Sequence, residues 1–461
     1  MRAAVRRVAV TLALAIPLMT AEAAVFAGTR SEFDCPAALR SQVEFWKQIF
    51  TTRSKGEVLI HDTWHLDRIY SVLDFSALAD GAMSDAELSD YVNDRTRVEK
   101  ERVRSILLKL NRGADEADLS AEEKRIRGLF RDDPSPTRFL DAAADDRIRG
   151  QRGLRERFSE GIEVSRRYLP EMEAIFRHEG LPVELTRLPL VESCFDVHAY
   201  SKVGAAGIWQ FMPSAGRPYM RIDSHIDERR DPIASTHAAA ALLRRNYEVL
   251  GAWPVAITAY NHGRAGMARA VDEVGTTDIV EIIRSYHGPL FKFASRNFYA
   301  EFLAALEVER DAERYFGKLR SLPPQRCEQV LVPDSTSLGM LAHAAGCDTD
   351  SLVELNPAFT PAVVRGNLYV PKGWRLRVPL GAQKDFHARY ASLAARSNPA
   401  PAKREAKTRN ARYVTHRVQR GQTLAGIARK YNTTVDAIQK RNRLRDGQAV
   451  RAGQSLIIPR G

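Results

Sequence analysis

Glu192 stands in the run LPLVESCFDV among Leu188, Leu190, Val191 and Phe195. Apolar surroundings disfavour the charged carboxylate and raise its pKa. A carboxyl that keeps its proton near neutral pH can serve as a general acid. The bland alternative is a partly buried glutamate paired with Arg187. Gly204, Ala205, Ala206 and Gly207 follow, and they permit close backbone approach. Trp209, Phe211, Trp253 and Tyr260 offer flat faces, while Gln210 and Asn261 offer amides. Flat apolar faces with a few fixed polar groups suit a sugar ring. The alternative for the aromatics is core packing.

Other reactive types carry less. Asp196 is one helical turn beyond Glu192, so it is either a partner or the residue that ends the helix. His61 and His65 in HDTWH have the i,i+4 spacing of a helical zinc pair. Asp62 replaces the glutamate of that motif and no third ligand is evident, so they read as structural or surface histidines. No metal and no cofactor are expected. The cysteines are Cys35, Cys194, Cys327 and Cys347. Cys194 reads as a thiol on an apolar helix face, and Cys327 and Cys347 fall in one small module where they are able to pair.

The elements that must position these residues are mostly helical. The chain has 461 residues, 44% hydrophobic and 27% charged, enough for several domains of ordinary globular composition. Residues 1–24 combine Arg2, Arg6 and Arg7 with an apolar run from Val8 to Met19 and Ala21-Glu22-Ala23-Ala24, which reads as a signal peptide. No cysteine at the cleavage site suggests a lipoprotein anchor. Removing that segment changes the formal net charge from +12 to about +10. A basic exported chain points to the periplasm or cell envelope, peripheral association with an anionic envelope polymer, and no nucleic acid.

Residues 25–155 read as a helical N-terminal region of unknown role. Val103, Ile106, Leu107 and Leu110 form one apolar helix face, and Ser120 with Glu123 forms a capping box. Residues 160–312 form a second helical block. Leu181-Pro182 opens one helix there, and Asp231-Pro232 opens another that stops at Gly251. The tail carries a repeat. Leu338, Leu341, Leu352 and Asn356 recur at the same steps as Leu424, Ile427, Ile438 and Asn442. Each copy ends in a strand-like run before proline. The pattern predicts strand, two short helices, strand, at 325–380 and 413–460. Between them, 381–412 reads as a basic flexible linker.

Four motifs together resemble the lytic transglycosylase family, whose catalytic domain has a goose-type-lysozyme-like fold, and within it the membrane-bound D group. They are Glu192-Ser193, Gly207-Ile208-Trp209-Gln210 followed by Phe211-Met212-Pro213, the run from Asp227 to Thr236, and Ala259-Tyr260-Asn261. The tail repeat resembles the LysM glycan-binding module, closely at 415–460 and loosely at 327–380. The resemblance implies a mainly α fold: a lysozyme-like helical catalytic domain followed by small α/β LysM (βααβ) modules.

It implies a reaction as well. Peptidoglycan strands are cleaved between N-acetylmuramic acid and N-acetylglucosamine without water, leaving an anhydro end. Glu192 is the acid and then the base. Ser193, Gln210, Phe211, Met212, Tyr260 and Asn261 hold the glycan, and the LysM modules bind it too. Most glycosidases use two carboxylates, substrate-assisted ones excepted, and no second acidic motif is evident. One departure stands out. The family's Arg-x-Tyr motif falls on Arg296-Asn297-Phe298, with Tyr299 one residue on. The rival readings are a hydrolytic muramidase on the same fold and a non-catalytic peptidoglycan-binding scaffold.

Overall fold

The computed structural model describes residues 33–78, 84–396, 413–419, 421–442, 444 and 450–459. The expected signal peptide and residues 397–412 of the expected linker lie outside them.

The chain begins with α1 (Arg40–Thr51), the hairpin β1 (Glu57–Asp62) and β2 (Ile69–Asp74), and the helices α2 (Asp85–Asn111), α3 (Ala121–Gly128) and α4 (Arg138–Ala142). Strand β3 (Ile148–Arg152) returns to the sheet, whose order is β2-β1-β3 with both pairings antiparallel. This sheet corrects the all-helical reading of residues 25–155. Its cause lies in β1. Val58 and Ile60 enter one core with Val103 and Leu107, while Leu59 enters another with α1. A strand covered on both faces reads as a continuous apolar run, without alternation. Two sequence readings hold there. Val103, Ile106, Leu107 and Leu110 are all buried, and Ser120 and Glu123 form the capping box that opens α3.

The helical block follows as α5 (Arg155–His178), α6 (Leu188–Glu192), α7 (Pro213–Gly216), α8 (Pro232–Leu250), α9 (Trp253–His262), α10 (Arg264–Val274), α11 (Ile279–Ser285), α12 (Phe293–Arg310) and α13 (Ala312–Phe316). Asp231 caps α8 by accepting from Ile233 N and Ala234 N, and Gly251 ends it with a left-handed φ of 72°. Pro182 opens only a short 3-10 turn, Val183–Arg187, which leads into α6. α1 belongs to this block: it packs along α12, with Phe33 against Phe302 and Glu307 bridging Arg40 and Lys47.

The first tail module is β4 (Glu328–Leu331), α14 (Leu338–Ala345), α15 (Thr349–Leu355), α16 (Pro361–Val364) and β5 (Arg375–Val378), with β4 antiparallel to β5. α17 (Gln383–Arg396) packs on α14, with Phe386 and Tyr390 buried in the module's core. Residues 383–396 are therefore helix and not linker. Their i,i+4 aromatic pair and Leu393 supply an apolar stripe. The second module is β6 (Tyr413–Arg417), α18 (Leu424–Lys430), α19 (Val435–Asn442) and β7 (Ser455–Pro459), with β6 antiparallel to β7.

The pairing left open for Cys327 and Cys347 is not formed, and all four cysteines are free. Cys327 lies near Arg377 and Asp231, where the module meets the helical block. Cys347 sits after α14 and lines a separate pocket with Arg389. A disulfide requires closely apposed Cβ atoms, and the two thiols have different surroundings.

Candidate active site

Glu192 ends α6, which is anchored by buried Leu188 and Leu190. Beyond it the chain turns sharply: Cys194 and Phe195 both have φ of 53°. Cys194 thus lies past the helix, where burial pushes its thiol up to about 11. Close packing explains the fold here, since a Cβ on Gly161 of α5 would sit 2.4 Å from the Cys194 carbonyl oxygen. Ser193 Oγ donates to the Ile208 carbonyl at 2.9 Å, which ties α6 to the glycine-rich loop.

Burial pushes the Glu192 carboxyl up to about 8. The residue is not sealed, because part of it still faces solvent. Arg187 does not pair with it: that guanidinium binds Glu173 and Glu309. Asp196 is exposed and accepts from His198 N at 2.9 Å, as the residue of a turn.

The glycine-rich loop is held from behind. Gly207 has φ of 74°, and a Cβ there would lie 1.8 Å from the Arg229 carbonyl oxygen, so only glycine fits. Buried Arg229 is paired to Asp227 at 2.7 Å and donates to the carbonyls of Gly204 at 2.7 Å and Phe211 at 3.0 Å. Gln210 has a left-handed φ of 48°, and its Nε2 donates to the Gly207 carbonyl at 2.8 Å. A non-glycine residue in that region stores strain that the surrounding structure must hold.

The aromatics divide into two groups. Trp209 is fully buried, stacks on Phe176 and donates Nε1–H to Thr236 Oγ1 at 2.9 Å. Trp253 stacks on Tyr247, and Phe211 is 2% exposed beside Tyr260. These three rings build the wall and do not offer free faces to a sugar. Tyr260 is half-buried, its hydroxyl donates to the Trp209 carbonyl at 2.8 Å, and it feels the charge of Glu192. Met212 and Asn261 are exposed, and Asn261 Oδ1 accepts from Ser295 Oγ at 3.0 Å.

Sequence reasoning missed Glu301 on α12. It faces the same region as Glu192, and burial, then the Glu192 charge, push its carboxyl up to about 8. Neither glutamate makes a hydrogen bond or ion pair among the described residues. The packing brings them near. Arg187, just before α6, touches Glu309, and α6 packs along α12. The charge of Glu192 acts on Glu301, so the two carboxyls share one region. The signal in the sequence is one acid inside the run FYAEFLAAL, on a helix face otherwise occupied by buried Asn297, Phe298, Ala305 and Val308.

The Arg-x-Tyr departure is resolved. Phe298 is buried at the family tyrosine's place, and the ionisable groups that act on Tyr299 are Asp34 and Cys35 and not Glu192. The hydroxyl near Glu192 belongs to Tyr260. His61 and His65 also part: His61 lies within β1, where it is fully buried against Phe45, and His65 lies in the loop that follows. They do not share a helix face.

Residues 172–283 match the family described as the Transglycosylase SLT domain, and residues 416–459 match the LysM domain. The chain is 30% identical over 334 residues to membrane-bound lytic murein transglycosylase D of Escherichia coli strain K12, covering 69% of this chain and 70% of that protein. The chain belongs to the lytic transglycosylase family. A shorter similarity, 36% over 97 residues, covers 21% of this chain and 47% of a putative tributyltin chloride resistance protein of Alteromonas sp. strain M-1. In this transglycosylase the matched SLT residues include Glu192, the Gly207–Gln210 turn and Tyr260-Asn261. The geometry brings together Glu192, Ser193, Gln210, Phe211 and Tyr260, with Met212 and Asn261 at the exposed edge. The fold is mainly α, and the matched LysM residues 416–459 form a small α/β module.

Proposed function

We propose that this chain cleaves the glycan strands of peptidoglycan between N-acetylmuramic acid and N-acetylglucosamine without consuming water. The observation that carries the reading is a catalytic-type glutamate, unpaired and held protonated to about pH 8, at the edge of a loop fixed by the family's motifs. Glu192 gives its proton to the glycosidic oxygen as the C1–O bond breaks. The acetamido oxygen of the muramic sugar bonds to C1. The Glu192 carboxylate then takes the proton of the sugar's own C6 hydroxyl. Oxygen O6 displaces the acetamido oxygen, which closes the anhydro ring and restores the acid.

The other site residues take roles that fit their positions. Ser193 fixes Glu192's end of α6 to the loop. Tyr260 presents its hydroxyl group near the reaction centre, and Phe211 backs that ring. Gln210, Met212 and Asn261 contact the strand. The LysM match supports glycan binding by the tail. Export to the periplasm and peripheral envelope association follow from the signal-like N-terminus and basic charge. No described helix is long and apolar enough to cross a membrane.

Glu301 favours a second reading. Two carboxyls in one site are what hydrolytic glycosidases use, so a muramidase reaction on the same fold is the competitor. Digestion of purified peptidoglycan followed by mass measurement separates them. An anhydro end is lighter by one water than a hydrolytic end. Products carrying only hydrolytic ends overturn the transglycosylase reading.

A further inference from the structure

The N-terminal sheet and the start of α12 enclose a cavity of about 460 Å³ that the reaction above does not use. Its walls are aromatic and basic. The Arg296 guanidinium stacks over Trp64 at 3.8 Å, and that of Arg149, on β3, over Phe293 at 4.4 Å. Lys100, His287 and Lys292 also line it. The acids present are Asp145, paired with Arg104 at 3.1 Å, and Asp146.

These two arginines differ from their neighbours. Arg147 is paired with Asp62, Arg68 with Asp133, and Arg102 with Glu99 and Glu122. Arg149 and Arg296 have no ion pair or side-chain hydrogen bond among the described residues, and Arg296 Nε is buried without a partner. Stacking on a ring holds a guanidinium plane in place and leaves its N–H edge free. A fixed, unpaired fork is suited to a carboxylate, which it binds through two parallel hydrogen bonds.

The position narrows the ligand. Arg296 precedes Glu301 by five residues, about 7.5 Å along α12, and the charge of Arg149 acts on Glu301. The cavity therefore lies close to Glu301, which in turn shares a region with Glu192. Resting on the proposed function, we infer that this cavity binds the carboxylate-bearing peptide branch of the muramic sugar, gripped by Arg149 and Arg296. The sheet that supplies Arg149 and the β1–β2 loop that supplies Trp64 are then part of the substrate site. A carboxylate held there also fixes which sugar sits over Glu192.

The test compares strands bearing free-acid peptide branches with strands stripped of them. Arg149→Gln and Arg296→Gln should each lower kcat/KM on branched strands about tenfold more than on stripped strands. Arg296→Lys, which keeps charge and loses the fork, should fall between. Equal losses on both substrates overturn the inference. A binding arm uses Glu192→Gln protein and a soluble branch peptide. The free acid should bind at least about tenfold more tightly than its amide, and Arg296→Gln should erase the difference. Equal binding of acid and amide overturns the site. Because this arm needs no turnover, it separates failure of the cavity from failure of the proposed reaction.

Discussion

The two βααβ modules share one internal plan and have opposite surroundings. In the first, Asn356 Nδ2 donates to the carbonyls of Leu352 and Arg377, and its Oδ1 accepts from Arg377 N. In the second, Asn442 does the same with Ile438 and Ile457. Each asparagine pins the second helix to the last strand. The repeat thus encodes one fold twice. What differs is the outside. The first module is fastened to the SLT block: Arg377 is paired with Asp231, the cap of α8, and Arg230 donates to the Phe359 carbonyl at 2.9 Å. Asp227 N donates to the Ala358 carbonyl at 2.8 Å, and Ile226 enters the module's core. The second module keeps its own small core around Ile427, Ile438, Leu456 and Ile458. A repeat unit can therefore become a structural buttress or remain a separate binding head, depending on a few surface residues.

The segment 227–231 explains why the buttress matters. It faces both ways: Arg229 holds the Gly204–Phe211 loop, while Arg230 and Asp231 hold the module. Perturbing the first module should reach the active site, and perturbing the second should not.

The largest expected effect separates chemistry from both modules. Glu192→Gln keeps shape and loses the transferable proton, so cleavage should fall on the order of a hundred- to ten-thousand-fold while peptidoglycan binding persists. Turnover above a tenth of wild type would remove Glu192 from the mechanism. The same variant has a pH signature. A carboxyl whose folded pKa is raised from 4.5 to about 8 ionises more easily when unfolded, so wild-type stability falls as pH rises through that window. Glu192→Gln should melt higher than wild type at pH 9 and alike at pH 4. Wild-type cleavage should decline as pH passes about 8, when the acid loses its proton.

Next comes the fastening itself. Arg377→Ala leaves Asp231 buried without its cation, a change that costs about 3–5 kcal/mol. Thermal melting should shift for the SLT block, with a loss of turnover even on short glycans. An unchanged melting point and full activity would mean that the first module is as independent as the second.

The paired asparagines sharpen the contrast. Asn356→Ala and Asn442→Ala each remove three hydrogen bonds of one kind, at about 1–3 kcal/mol. The first should destabilise the SLT block with its module. The second should affect only residues 413–459, read by hydrogen exchange. Matching exchange patterns in the two variants would contradict the distinction.

The smallest effect is kinetic. Ending the chain after Arg396 removes the second module and keeps α17. Binding to insoluble peptidoglycan should weaken and its digestion slow at low enzyme concentration, since tethering raises local substrate concentration. Short soluble glycans should turn over as before. Loss of that turnover would make the second module part of the active fold.

Much was legible in the chain. The capping residues Ser120 and Asp231 and the stop at Gly251 mark helix ends because each satisfies local backbone groups. The repeat marks both modules because its apolar steps follow helix and strand periods. Glu192 stands out because an acid in apolar company is costly unless used. The misreadings share a cause. β1 lies between two cores, so its apolar run lacks alternation. α17 follows a module, and nearby basic and proline residues mask its aromatic stripe. For Trp209, Phe211 and Trp253 the sequence left sugar platform and core packing both open, and they are wall, because residue type does not say which face is covered.

Local sequence determined the helices, their caps, the two tail modules and the apolar setting of the glutamate proposed as the acid, since these depend on residues close in the chain. Tertiary structure alone decided which groups share a site. Glu301 feels the charge of Glu192 only because α12 packs against α6, across more than a hundred residues of chain. Arg149 and Arg296 face one cavity only because a sheet strand lies over the start of α12. Tyr260, not Tyr299, has its hydroxyl near the acid, because one residue turns a helix by about 100° and packing chooses the face.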